Sequence, residues 1–251
     1  RGVFLWGKKR LDCCNFTTMK KWFGIAILAV VVVSMFSCAG DTLPFLKNKK
    51  EGYIRYEVTF PYESGLMTQF YPKEMIMYFN EEQAHAVLSS AYNVVSTDFF
   101  IGEKDEFFSH YLKSFGDKKV IHMHHTNVKE WLKRYPDVRL ESTNETMEIA
   151  GYKCQKTIAH FMVDSLPTID LYSTQDIGIN DKNWWNKFDG LEGVLMGYEV
   201  NLYGKRMKLR AKEVVFEKQD PSVFERPAGY EEVNFQQMDE ALQELSNSFS
   251  K

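Results

Sequence analysis

The chain has 251 residues, 44% of them hydrophobic and 15% aromatic, with 31 Lys and Arg against 34 Asp and Glu. That aromatic content excludes a disordered chain, and a formal charge of −3 at pH 7 excludes the excess of clustered Lys and Arg that nucleic-acid binding requires. The length suits one domain able to bury roughly 70% of its unfolded surface.

Residues 1 to 18 do not open with methionine and precede a start at Met19, so they are read as an upstream segment outside the functional protein. From Met19 the chain runs through Lys20 and Lys21, an unbroken apolar stretch from Trp22 to Phe36, then Ser37 and Cys38. A membrane-crossing helix needs about 20 apolar residues. This stretch falls short and suits a signal-peptide core of about 7–15 residues; an uncleaved transmembrane anchor is the alternative. The layout resembles a bacterial lipoprotein signal, with Ser37 as the small residue before the cysteine, Met35 at the apolar position and Phe36 bulkier than the usual occupant. The resemblance implies a signal peptide over 19–37 and Cys38 as the lipidated first residue of the mature chain. It also implies a cell-envelope address in a Gram-negative-type bacterium, anchored by lipid at the outer membrane.

The residues before Cys38 hold six basic and one acidic residue, which leaves 25 basic, 33 acidic and a formal charge of −8 for 38–251. Cys13 and Cys14 fall upstream, so Cys154 is the one thiol left and no intramolecular disulfide is open to the mature chain. Free cysteines are among the most buried residues. An inert, buried Cys154 is therefore expected over a catalytic thiol, which needs a histidine partner and an electropositive setting.

Residues 38–51 read as a polar, lysine-rich tether, and 52–251 as one domain. In GYIRYEVTF, Ile54, Tyr56, Val58 and Phe60 alternate with Arg55, Glu57 and Thr59, the period of a half-buried strand. EMIMYF and AHAVLSS continue that pattern around a turn at Asn80, Glu81 and Glu82. Phe107, Phe108, Tyr111, Leu112 and Phe115 recur at helical spacing before Gly116, which predicts a helix ending there. Val128, Trp131, Leu132 and Tyr135 predict a second helix, stopped by Pro136.

Strands return in TMEIAGYKCQKTIAHFMV, with a turn at Ala150-Gly151, and in IDLYST. The hairpin around Gly204-Lys205 is the clearest: Met196, Tyr198, Val200 and Leu202 share a face with Met207, Leu209 and Ala211. Lys208, Arg210 and Lys212 point the other way, near Glu199. Asn234 and Gln237 then form a capping-box variant at the start of a helix striped by Phe235, Met238, Leu242, Leu245 and Phe249. Strands joined by short turns, with a few helices, give an antiparallel α+β domain.

Four motifs carry a family resemblance: Ile149 to Cys154 (IAGYKC), LYSTQDI, Gly190 to Met196 (GLEGVLM) and VFERPAGYEEV near the end. Together they resemble envelope proteins of the GLPGLI type and a related family of unknown function in the LolA-like superfamily, over Gly52 to Val233. Glu192 stands where GLPGLI proteins usually carry proline, which favours the unknown-function relative. The resemblance implies an antiparallel sheet curved as a half-barrel, its concave face covered by helices. It further implies a cavity for a lipid or other apolar ligand. The alternative is a structural or protein-interaction lipoprotein with a filled core.

His122 and His124 share a strand face, a spacing that can chelate a metal, but zinc needs three or four ligands and no partner cluster stands out; surface imidazoles are expected. Trp184 and Trp185 stand side by side on a predicted helical turn, so one is buried and the other partly exposed; core packing is expected, and the alternative is that the exposed ring lines a ligand mouth or a membrane interface. They are the candidate ligand-binding residues. The C-terminal stripe predicts a helix packed on the sheet, and it lacks the lysine-rich polar face of a membrane-surface helix. No nucleophile elbow, phosphate loop, dinucleotide fingerprint or zinc-hydrolase motif is present, so no enzymatic activity and no cofactor are expected.

Overall fold

Alternating apolar residues build most of one twelve-stranded sheet. The computed structural model describes residues 51–90, 93–102, 106–179, 183–202 and 205–248, which fall within one compact unit, 48–251. The upstream segment, the signal peptide, Cys38 and nearly all of the tether lie outside the described residues. Among the described residues no helix is long and apolar enough to cross a membrane.

The strands are β1 (Gly52–Thr59), β2 (Glu74–Phe79), β3 (Gln83–Ser89), β4 (Val95–Gly102), β5 (Phe107–Ser114) and β6 (Asp117–His124). Then come β7 (Val138–Ile149), β8 (Tyr152–Phe161), β9 (Ile169–Thr174), β10 (Val194–Leu202), β11 (Lys205–Phe216) and the short β12 (Glu231–Glu232). Among the described residues two α-helices join them, α1 (His125–Leu132) and α2 (Phe235–Ser248). Their order across the sheet is β12-β6-β5-β4-β3-β2-β1-β11-β10-β9-β8-β7. All neighbours are antiparallel except β12, which runs parallel to β6. The fold is therefore an open, antiparallel α+β sheet.

Two meanders, β1–β6 and β7–β11, meet where β1 pairs with β11. Register then carries one apolar face across both. Ile54 stands opposite Met77 and Val214, Tyr56 opposite Met75 and Ala211, and Val58 opposite Leu209. The same face continues through Ala86, Phe99 and His110 to Ile121. This inner face is covered by α1, α2 and the connection between β9 and β10. Met238, Ala241 and Leu245 of α2 and Val128 of α1 are buried with Phe108, Leu112 and Met123. Phe188 and Leu191 of the connection are buried with Ala159, Leu171 and Leu195. Each of the Val, Leu, Phe and Met side chains among them contributes about 1.5–3 kcal/mol of burial.

The expected helix over Phe107–Phe115 is corrected: these residues form β5, paired on both sides. Phe108, Ser109, His110, Tyr111 and Leu112 are all buried, because both faces of the sheet are covered here. Alternation vanishes, and the aromatic spacing imitates a helix. Gly116 is a hairpin residue at φ 107°, beside Phe115 at φ 49°.

Other expectations hold in detail. Ala150 and Gly151 are both left-handed, at φ 51° and 81°, as a two-residue hairpin turn requires. The Asn80 carboxamide accepts from the backbone N–H of Glu82 and Gln83, both at 2.9 Å. At α2, Asn234 Oδ1 accepts from Gln237 N–H and Gln237 Oε1 from Asn234 N–H, each at 3.0 Å, so the capping box closes reciprocally. Phe249, the last residue of the stripe, and Gly204 of the hairpin lie outside the described residues.

In that hairpin Tyr198 faces Leu209 and Val200 faces Met207, while Glu199 pairs with Arg206 at 2.7 Å on the outer side. Leu209→Asp would place a carboxylate among inner-face apolar groups and is expected to cost about 3–5 kcal/mol. Arg210→Asp on the outer face is expected to cost less than about 1 kcal/mol. Urea unfolding of the two variants checks the register, and equal midpoints would reverse it.

Candidate functional site

The inner face is where an apolar ligand would have to bind, and it is occupied by the protein's own side chains. Trp185 stacks on Phe108 with 6.1 Å between ring centroids and 10° between planes, and Trp131 of α1 stacks on the same ring at 6.3 Å. Trp184 is buried and meets His125 edge-on at 5.3 Å. The expectation that one tryptophan is buried and its neighbour less so is met, but both pack in the core cluster beneath the helices.

The segment that carries them is pinned at both ends. Asn183, buried and left-handed at φ 55°, donates through Nδ2 to the carbonyls of Leu191 at 2.8 Å and Gly193 at 3.1 Å. Lys187 Nζ donates to the carbonyls of Leu132 at the end of α1 and of Tyr135 beyond it, and to Asp137 at 3.1 Å. Within GLEGVLM, Gly193 sits at φ 83° with its backbone against β9, where a Cβ would lie 2.4 Å from the Thr174 carbonyl oxygen. That glycine is required by packing, and Glu192 is bonded to Gln175 at 2.5 Å.

The outer face is different. Residues 217–233 run from β11 across β3, β4 and β5 to β6, strapped down at successive points. The Val223 carbonyl oxygen accepts from His85 Nδ1 at 2.6 Å, and Arg226 lies 4.1 Å over the Phe107 ring. Tyr230 meets Tyr111 edge-on at 5.0 Å, and Val233 N–H donates to the Val120 carbonyl at 2.9 Å. Between strap and sheet lies a cavity of about 300 Å³, walled by Pro227, Ala228 and Tyr230. Its floor is set by register: Ser89, Ser96, Lys113 and Lys118 stand directly opposite one another on four successive strands. Asp98, one step along β4, completes it.

Asp98 is held from behind, its Oδ1 lying 3.1 Å from His85 Nε2, while His85 stacks on Phe100 at 3.9 Å. Both His85 nitrogens are thereby engaged, so this His–Asp pair has no free nitrogen with which to activate a serine. Burial, then Asp98, then Tyr111 push the Tyr230 phenol above its ordinary range. A second cavity, about 130 Å³, is a notch beside α2 rimmed by Asp117, Lys119, Glu244 and Ser248; it is smaller than the roughly 300–1,000 Å³ of ordinary ligand sites.

The remaining sequence candidates do not converge. His122 is bonded through Nδ1 to Ser109 Oγ at 2.8 Å, and burial lowers its pKa. Among the described residues no group of three or more His, Cys, Asp or Glu is placed to hold a metal ion. Cys154 is buried and free, and burial pushes its thiol up to about 11, far from thiolate chemistry at neutral pH. Sequence reasoning missed Asp98, Lys113 and Lys118. The signal nearest to them was VFERPAGYEEV, whose Pro227, Ala228 and Tyr230 wall the cavity. Neither a protein-family model nor a curated protein matches the chain.

His110 is buried in the inner face. Its Nε2 lies 2.7 Å from Thr97 Oγ1, its Nδ1 has no partner among the described residues, and burial lowers its pKa to about 4. Between pH 6.5 and 4 the unfolded chain takes up a proton that the folded one refuses, so stability is full above pH 6.5 and falls as pH falls. The expected loss by pH 4.5 is about 2–3 kcal/mol. Urea titrations of wild type and His110→Gln check this: the wild type should lose that much more than the variant over the window.

Proposed function

We propose that this chain is a lipid-anchored cell-envelope protein with a filled core that works through its surface as a binding or interaction module. The observation that carries the reading is the occupancy of the inner face. Tyr56, Phe79, Met196 and Met207 are fully buried in one apolar cluster, and Phe108 is fully buried in a second, beneath α1, α2 and the Trp184-Trp185 segment. The larger cavity lies on the opposite face and is lined mainly by polar groups. Burying a lipid chain at the inner face would first require expelling aromatic side chains that already exclude water there.

The half-barrel of the LolA-like proteins is compatible with an open antiparallel sheet whose apolar face is covered by helices. Carriage of a lipid or other apolar ligand is the second reading. A catalytic role is not part of the proposal: the buried thiol is held protonated and His85 is committed at both nitrogens. Membrane attachment rests on Cys38 and its preceding apolar stretch. A single acyl chain binds a membrane only reversibly, so stable anchoring takes two or more, at roughly 0.8 kcal/mol per buried methylene.

Two measurements test the proposal. Cys38→Ala should block maturation or release the protein from membranes, and a variant that matures and fractionates like wild type overturns the lipid anchor. A fluorescent fatty acyl probe titrated into the purified protein should show no saturable uptake competed by unlabelled lipid. Saturable, salt-insensitive, competable binding would reinstate carriage.

A further inference from the structure

We infer that the outer-face cavity is a binding site for a small amino or hydroxy acid, its carboxylate bridging Lys113 and Lys118 and its amino or hydroxyl group donating to Asp98. The inference concerns a site separate from the anchor and from the apolar core.

Lys113 and Lys118 are directly opposed across the β5–β6 pair and both line the cavity. Like charges in that position repel, and neither lysine has an ion-pair partner among the described residues. The Lys118 ammonium lies 5.6 Å from the centroid of the Tyr230 ring. A carboxylate between the two ammonium groups turns that repulsion into two charge-assisted hydrogen bonds. Along the same row, Ser96 is buried and Ser89 half-buried, adding hydroxyls beside the ammonium groups.

Asp98 sets the class of acid. His85 occupies its Oδ1 from behind, which fixes the carboxylate and leaves its other oxygen to accept. A simple anion leaves that oxygen without a donor, whereas an acid with an adjacent N–H or O–H donor satisfies both ends. The volume of about 300 Å³ is at the low end of ligand sites, which limits the occupant to a small molecule. Pro227 and Ala228 give the lid an apolar patch without further charge.

The test is isothermal titration of the full chain in mild detergent with L-serine and L-malate, and with propionate and inorganic phosphate as controls. At least one of L-serine and L-malate should bind saturably, and more tightly than both controls. Lys113→Ala and Lys118→Ala should each weaken that binding by roughly tenfold or more, and Lys→Arg at either position should retain most of it. Asp98→Asn should weaken the amino or hydroxy acid while strengthening propionate, a reversal that simple loss of folding does not produce. Far-UV circular dichroism confirms that each variant is folded. The inference is overturned if neither acid binds, if the alanine variants bind as wild type does, or if Asp98→Asn leaves the preference over propionate unchanged.

Discussion

The pairing of β1 with β11 holds the molecule together. Each meander alone would end in a raw edge with half an apolar face; joined, they make one sheet whose inner face is large enough to need two helices and a folded connection as cover. The join is tight as well as long. At Gly52 the backbone passes so close to β11 that a Cβ would lie 2.0 Å from the Val215 carbonyl oxygen. Across the seam, the buried Tyr56 hydroxyl donates to the Leu195 carbonyl of β10 at 2.9 Å. A large apolar residue with one polar tip can therefore sit in the core without an unpaired group.

The parts of this fold legible in the sequence are the parts with one wet face. β1 reads as a strand because Arg55 and Glu57 face water while Ile54, Tyr56 and Val58 do not. β10 and β11 read as a hairpin for the same reason, and α2 announces itself through its capping box. β5 misleads because the strap of residues 217–233 covers its outer side, so both faces are apolar or buried and no period of two survives. The strap itself has no periodic signature. Its anchors are single contacts, such as Val223 to His85, between residues more than a hundred positions apart.

The candidate site was hidden for a related reason. Lys113 and Lys118 are close in sequence, but a helical reading of 107–115 sends their side chains in unrelated directions; only the register of β5 on β6 sets them opposite one another. Asp98 comes from the strand beyond, and Tyr230 from the far end of the chain. The tryptophan pair was more legible, since adjacent bulky residues cannot both be equally exposed. Their role as a lid over Phe108 depends on Asn183, which donates to the backbone of the GLEGVLM stretch, and on Lys187, which reaches back to Leu132, Tyr135 and Asp137.

The strap has a consequence for local stability. It is held to the sheet by a few side chains and by the two-residue β12, whereas the strands beneath it are held by continuous ladders. Segments with few buried contacts open at a small fraction of the global unfolding free energy. The wall of the outer cavity can thus lift while β3 to β6 stay paired, and the cavity ceases to exist in that state. Anything that binds only the closed form then stabilises the strap by mass action, and the strap becomes the stretch that reports occupancy.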